Sequence, residues 1–112
     1  MDRDDTLRRL RAEAQEQVER LDRDLLDLFE ASRSSNADDE HDPEGSTIAF
    51  ERAQLTALLA AGRRRVTDLD GALARSAAGT YGTCETCGEE IPAGRLAVRP
   101  FATTCVRCAG RT

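Results

Sequence analysis

Residues 80–108 read TYGTCETCGEEIPAGRLAVRPFATTCVRC. Two C-x2-C pairs, Cys84–Cys87 and Cys105–Cys108, stand with seventeen residues between them. Each pair bends the backbone so that two sulfurs converge, and the intervening loop folds back to complete a tetrahedral S4 shell around one Zn2+. Gly88 follows the first pair, where a knuckle turn calls for positive φ or an uncrowded N–H beside sulfur. Four thiolates leave no open coordination position, so the metal this pattern predicts is structural and not catalytic. A closed site carries a formal charge of -2 and takes the chain from -5 to -7. Arg95, Arg99, Arg107 and Arg111 crowd the same segment, with no acidic residue after Glu90, and some of them are expected to screen the sulfurs.

Other readings use the same cysteines. Two disulfides require an oxidising compartment, and a thioredoxin-like C-x-x-C requires a βαβ context that the sequence lacks. A thiol switch that ejects zinc uses the same four ligands and stays open.

Upstream of the cysteines the apolar pattern is helical. From Thr6 to Ser32 the apolar positions are Leu7, Leu10, Ala14, Val18, Leu21, Leu25 and Leu28, spaced as in a coiled-coil seam. Asp4, Asp5 or Thr6 can cap the start. A second seam runs through Ile48, Arg52, Leu55, Leu59, Gly62, Val66, Leu69 and Leu73, with Ser46 or Thr47 as its cap and Gly79 as its stop. Arg52 and Gly62 are its poor members; Gly62 either permits close approach of a partner helix or marks a soft point.

Between the seams lies SRSSNADDEHDPEG, residues 32–45, a turn rich in Ser, Asp, Pro and Gly. The fold expected is mainly α: a long antiparallel two-helix coiled-coil hairpin over 1–79, with helices at 6–33 and 48–78 and an acidic tip at 34–47. A small, zinc-ribbon-like C4 finger follows over 80–112. The alternative is a helix pair completed into a bundle by other copies of the chain; the hairpin reading expects a monomer.

Composition narrows the function. With 39% hydrophobic residues, three Phe, one Tyr and no Trp, the chain suits a thin interhelical seam better than a thick globular core. All sixteen basic residues are Arg, which reads as the codon bias of a GC-rich genome. The net charge of -5 argues against a protein that coats nucleic acid through its overall field. The N-terminus MDRDDTLRRL has no apolar core of an export signal, and the apolar stretch near Leu55–Ala61 is too short to span a bilayer. A cytoplasmic chain without membrane contact is expected. No nucleophile–base pair, phosphate loop or open metal site points to an enzyme.

The order of helix, acidic turn, helix and finger resembles the DksA/TraR family of zinc-finger transcription regulators. The resemblance rests on the stretch from Tyr81 to Cys108: the aromatic-Gly-x-Cys entry, Cys-Glu-x-Cys-Gly, Ile91, Arg95-Leu96 and Arg99-Pro100. It covers the second helix and finger closely and the first helix in pattern. The resemblance implies a bacterial RNA polymerase-binding regulator that inserts its coiled coil into the secondary channel of the enzyme. Acidic tip residues then approach the catalytic metal, and no sequence-specific DNA contact is made.

The matching tip here holds Asp38, Asp39, Glu40, Asp42 and Glu44. Five carboxylates in seven residues suit a positively lined or Mg2+-bearing cavity, while the bland reading is a solvated loop. The family's best-studied tip reads Asp-x-x-Asp-x-Ala; the nearest register here is Asp39, Asp42 and Glu44 in place of Ala. Read without gaps from the finger backwards, Glu44 and Ser46 fall at the second Asp and the Ala. His41 reads as a loop residue. Arg63-Arg64-Arg65 reads as a solvated face or a contact for an acidic partner. The competing functions are a zinc ribbon binding nucleic acid through Arg95, Arg99, Arg107 and Arg111, and a thiol/zinc redox sensor.

Overall fold

A computed structural model describes residues 3–34 and 43–110. The elements are α1 (Arg3–Ser34), α2 (Pro43–Ala78), α3 (Ala93–Val98) and α4 (Val106–Ala109). Among the described residues there is no strand, only an isolated antiparallel bridge between Thr83 and Glu90. Nor is any helix among them long and apolar enough to cross a membrane. The fold is mainly α, a pair of long helices followed by a cluster of four cysteines.

Contacts divide the chain into two compact units, Glu13–Arg64 and Met1–Ala12 with Arg65–Thr112. The first turns of α1 and the last turns of α2 fall in the same unit as the finger.

In the unit Glu13–Arg64 the seam forms as its spacing predicts. Ala14, Val18, Leu21 and Leu59 are buried, and Leu25, Leu28, Ile48 and Leu55 are half-buried. The helices run antiparallel, because Asp22 pairs with Arg63 at 3.2 Å while Arg52 lies over the ring of Phe29 at 5.6 Å. Arg52, the charged intruder in the second seam, thus stays exposed and rests on an aromatic face instead of entering the apolar strip. Gly62 is a point of close approach and not a soft point. A β-carbon built on it would lie 3.1 Å from Val18 Cγ2.

In the second unit Leu7, Leu69 and Ala72 are buried to 1% exposure or less. Here too the pairing is antiparallel: Asp4 accepts a hydrogen bond from the Ser76 hydroxyl, and Arg11 Nε bonds Asp70 at 2.9 Å.

Both helices start earlier than the capping residues suggested. α1 opens at Arg3 rather than near Thr6, with Asp4 and Asp5 in its first turn, where carboxylates favour the dipole. Tertiary contacts support that turn, since the Arg3 guanidinium lies 5.1 Å from the Tyr81 ring centre. α2 opens at Pro43 rather than Ile48. Proline suits a first turn, whose N–H groups have no helical acceptor to lose, and its fixed φ is already helical.

Candidate metal centre

The chain reaches the first cysteine pair directly from the end of α2. Thr80 and Tyr81 donate backbone N–H bonds to the Arg75 carbonyl at 2.9 and 3.2 Å, closing the helix. A tight knuckle follows. Cys84 N–H bonds the Glu89 carbonyl at 2.8 Å, Gly88 N–H the Cys84 carbonyl at 2.9 Å, and Ile91 N–H the Gly82 carbonyl at 2.7 Å. Gly88 sits at φ 77, the left-handed turn that its place after Cys87 predicts.

The second pair arrives from the other side. Cys105 immediately precedes α4, and Ala109 N–H bonds back to its carbonyl at 2.9 Å. Cys84, Ile91, Cys105 and Cys108 form one buried cluster, with Leu96 packed against it; Cys87 is exposed.

The four sulfurs converge. Their Sγ atoms all lie within 4.8 Å of one another, and no disulfide joins them. Cys87 Sγ and Cys105 Sγ stand 3.8 Å apart. A tetrahedron with Zn–S bonds of about 2.3 Å has edges of about 3.8 Å, so the spacing suits thiolates around zinc.

The backbone N–H of Cys87, with that of Cys105, holds the Cys84 thiol down to about 6 against the opposing effect of burial. The Cys108 N–H likewise lowers Cys105. Cys108 is pushed up to about 12, first by its contact with Cys105 and then by burial and the other sulfurs. The donor set and spacing fit one structural zinc held by Cys84, Cys87, Cys105 and Cys108.

The arginines of the finger differ in their hydrogen bonding. Arg95 Nε donates to the Thr104 carbonyl at 2.8 Å. Arg99 and Arg107 are exposed, and among the described residues neither guanidinium is hydrogen-bonded to a sulfur. Arg111 lies outside the described residues, as do Asp38, Asp39, Glu40, His41 and Asp42. Glu44 falls in the first turn of α2. In the basic run, Arg63 pairs with Asp22 and Arg65 lies 5.8 Å from the Phe101 ring centre, so both have intramolecular roles.

Two contributors escaped the sequence reading. Arg75 Nη2 donates to the Phe101 carbonyl at 3.2 Å, and Tyr81 Oη donates to the Pro100 carbonyl at 2.7 Å. Neither has a local signal, because the acceptors lie 26 and 19 residues away.

Comparison with known proteins adds a family. Residues 79–112 match the prokaryotic dksA/traR C4-type zinc finger. The chain is similar to the solved structure of transcription factor DksA2 from Pseudomonas aeruginosa, with 30% identity and a TM-score of 0.81, covering 97% of this chain and 78% of that one. Among curated proteins it is similar to an uncharacterized protein of Aquifex aeolicus, 50% identical over 42 residues, which are 38% of this chain. It is also similar to the uncharacterized protein YteA of Bacillus subtilis, 39% identical over 69 residues, which are 62% of this chain. The chain spans 29% of the length of each of these two curated relatives.

Proposed function

Because the chain belongs to the DksA/TraR family of C4 zinc-finger transcription regulators, we propose that it binds RNA polymerase and regulates transcription by protein–protein contact, not by catalysis. The observation that carries this reading is the similarity to a transcription factor that runs along nearly the whole chain, helix pair and finger together. The antiparallel pairing within each unit and the four converging sulfurs support it from the side of physical chemistry.

The finer reading concerns the tip. Asp38, Asp39, Glu40, Asp42 and Glu44 concentrate negative charge between two long helices. Inserted into the secondary channel, such a cluster would lie close to the catalytic metal of the polymerase, where its field is felt most strongly. The zinc-bound finger would remain at the outer end of the same helix pair. The chain acts as a monomer in this reading and makes no sequence-specific DNA contact. Arg95, one of the residues available to a nucleic-acid ribbon, is already committed to a backbone carbonyl, which weakens that rival.

Purified core polymerase and the full-length chain test the proposal. Retention on immobilised polymerase is expected, together with altered initiation in a purified transcription assay. Replacing Asp39 and Asp42 by Asn and Glu44 by Gln should abolish the effect on initiation while retention persists. Channel insertion is excluded if deleting residues 36–47 changes neither binding nor transcription. Failure of the intact, zinc-loaded chain to bind polymerase at all would remove the regulator reading.

A further inference from the structure

The two halves of the cysteine cage are positioned by different means. Cys84 and Cys87 sit in a knuckle closed mainly by its own backbone: Cys84 N–H bonds the Glu89 carbonyl, Gly88 N–H that of Cys84 and Ile91 N–H that of Gly82. Ahead of Cys105 and Cys108 the local frame is a single turn, from Ala102 N–H to the Arg99 carbonyl at 3.0 Å. Residues 99–104 form neither helix nor strand. Yet four carbonyls in that stretch accept hydrogen bonds from elsewhere in the same unit. Pro100 accepts from Tyr81 Oη at 2.7 Å, Phe101 from Arg75 Nη2 at 3.2 Å, Thr103 from the Glu85 backbone N–H at 2.9 Å, and Thr104 from Arg95 Nε at 2.8 Å.

Two of these donors are guanidinium groups, and hydrogen bonds from a charged donor are roughly twice as strong as neutral ones. Arg95 fixes the carbonyl of the residue directly before Cys105. Arg75 acts from α2, and its own carbonyl receives Thr80 and Tyr81, so one residue holds both the end of the helix and the approach to the second cysteine pair. Arg65 lies over the ring of the same Phe101, 5.8 Å from its centre.

We propose that Arg75 and Arg95 are positioning residues for the zinc site: they deliver the Cys105–Cys108 half of the cage and thereby set how long the ion is retained. The rival account, in which the arginines of the finger act by screening negative charge, makes a different demand. A field effect falls on Arg99 and Arg107 as well, since they carry the same charge in the same segment. Positioning falls only on the two whose guanidinium groups reach a carbonyl.

The test uses the full-length, zinc-loaded chain and reads the first-order transfer of zinc to an excess of chromogenic chelator. Circular dichroism monitors helix content in parallel. Arg75→Ala and Arg95→Ala should each release zinc about tenfold faster than the parent chain, in the range found for outer partners of metal ligands. Arg99→Ala and Arg107→Ala should release it at the parent rate. Arg95→Lys, which keeps a donor on a flexible stem, should recover part of the loss. Cobalt-loaded protein gives a second readout: Arg95→Ala should lose thiolate charge-transfer intensity, and Arg99→Ala should keep it.

Equal acceleration in all four alanine variants would replace positioning by charge screening. Parent-like release from both Arg75→Ala and Arg95→Ala with native helix content would overturn the proposal outright. If Arg75→Ala does not fold, Arg95→Ala and Arg95→Lys decide it by the same rates and spectra.

Discussion

A methyl group on Gly62 would stand 3.1 Å from Val18 Cγ2, so at this point α1 and α2 meet with no room for a side chain. Val18 is buried and β-branched, and in a helix its χ1 is largely confined to one rotamer, so it cannot swing aside. A methyl group on Gly71, elsewhere in α2, would meet only Arg75 Nη1, at an ordinary 3.4 Å. Gly71→Ala should therefore gain about 0.5–1 kcal/mol from helix propensity. Gly62→Ala should gain nothing, and Gly62→Leu should lose about 1–3 kcal/mol through overpacking. Thermal unfolding of the three variants gives the answer; a Gly62→Leu chain as stable as the parent would contradict the close approach.

Burial ranks the leucines. Leu69 is 0% exposed and Leu7 is 1%, whereas Leu58 is 49% exposed. Truncating either buried residue to alanine should cost about 2–5 kcal/mol. Leu58→Ala should stay within about 0.5 kcal/mol of the parent, as exposed positions usually do. Chemical denaturation midpoints of the three variants measure the contrast.

The metal site should hold one zinc per chain. Replacing Cys84 or Cys108 by serine removes a buried ligand from the cluster, and metal content after purification should fall to background. Stripping the ion with a chelator should loosen residues 80–110, since binding free energies of about 10–16 kcal/mol are typical of structural zinc. Elemental analysis checks the first outcome, and amide exchange across the finger checks the second. Exchange in that segment that ignores the chelator would mean that the metal holds nothing together.

Tyr81 offers an internal titration probe, because the chain has one tyrosine and no tryptophan. Burial raises its phenol above 10.0, and the nearby Arg3 and Arg75 oppose the shift without cancelling it. With the folded value above the unfolded one, the associated stability is fully present below pH 10 and is lost as pH rises through the folded value. Phenolate absorbance should therefore appear at higher pH in the folded chain than in denaturant. Tyr81→Phe removes the bond to the Pro100 carbonyl and should lower neutral-pH stability by about 0.5–1.5 kcal/mol. Coincident titration curves in the folded and unfolded states would show that the phenol is not buried.

The sequence by itself determined the features that are written as local spacing. Leu7, Leu10, Ala14, Val18, Leu21, Leu25 and Leu28 all face inward because a period near 3.5 places them on one side of any helix they form. The two C-x2-C pairs foretold the converging sulfurs because four soft ligands at that spacing have one common solution. Tertiary structure decided what depends on residues far apart in the chain. Gly62 could have been a weak point until Val18 was seen against it. Arg52 found Phe29, Arg95 reached the Thr104 carbonyl, and Arg75 reached across 26 residues to Phe101. The early starts of α1 and α2 were equally hidden, since a capping residue signals where a helix can begin, while contacts such as Arg3 on Tyr81 decide where it does. The physical reason is the same in each case. Periodicity and ligand spacing act through neighbouring bonds, but a guanidinium chooses its acceptor by distance in space, which exists only once the chain has folded.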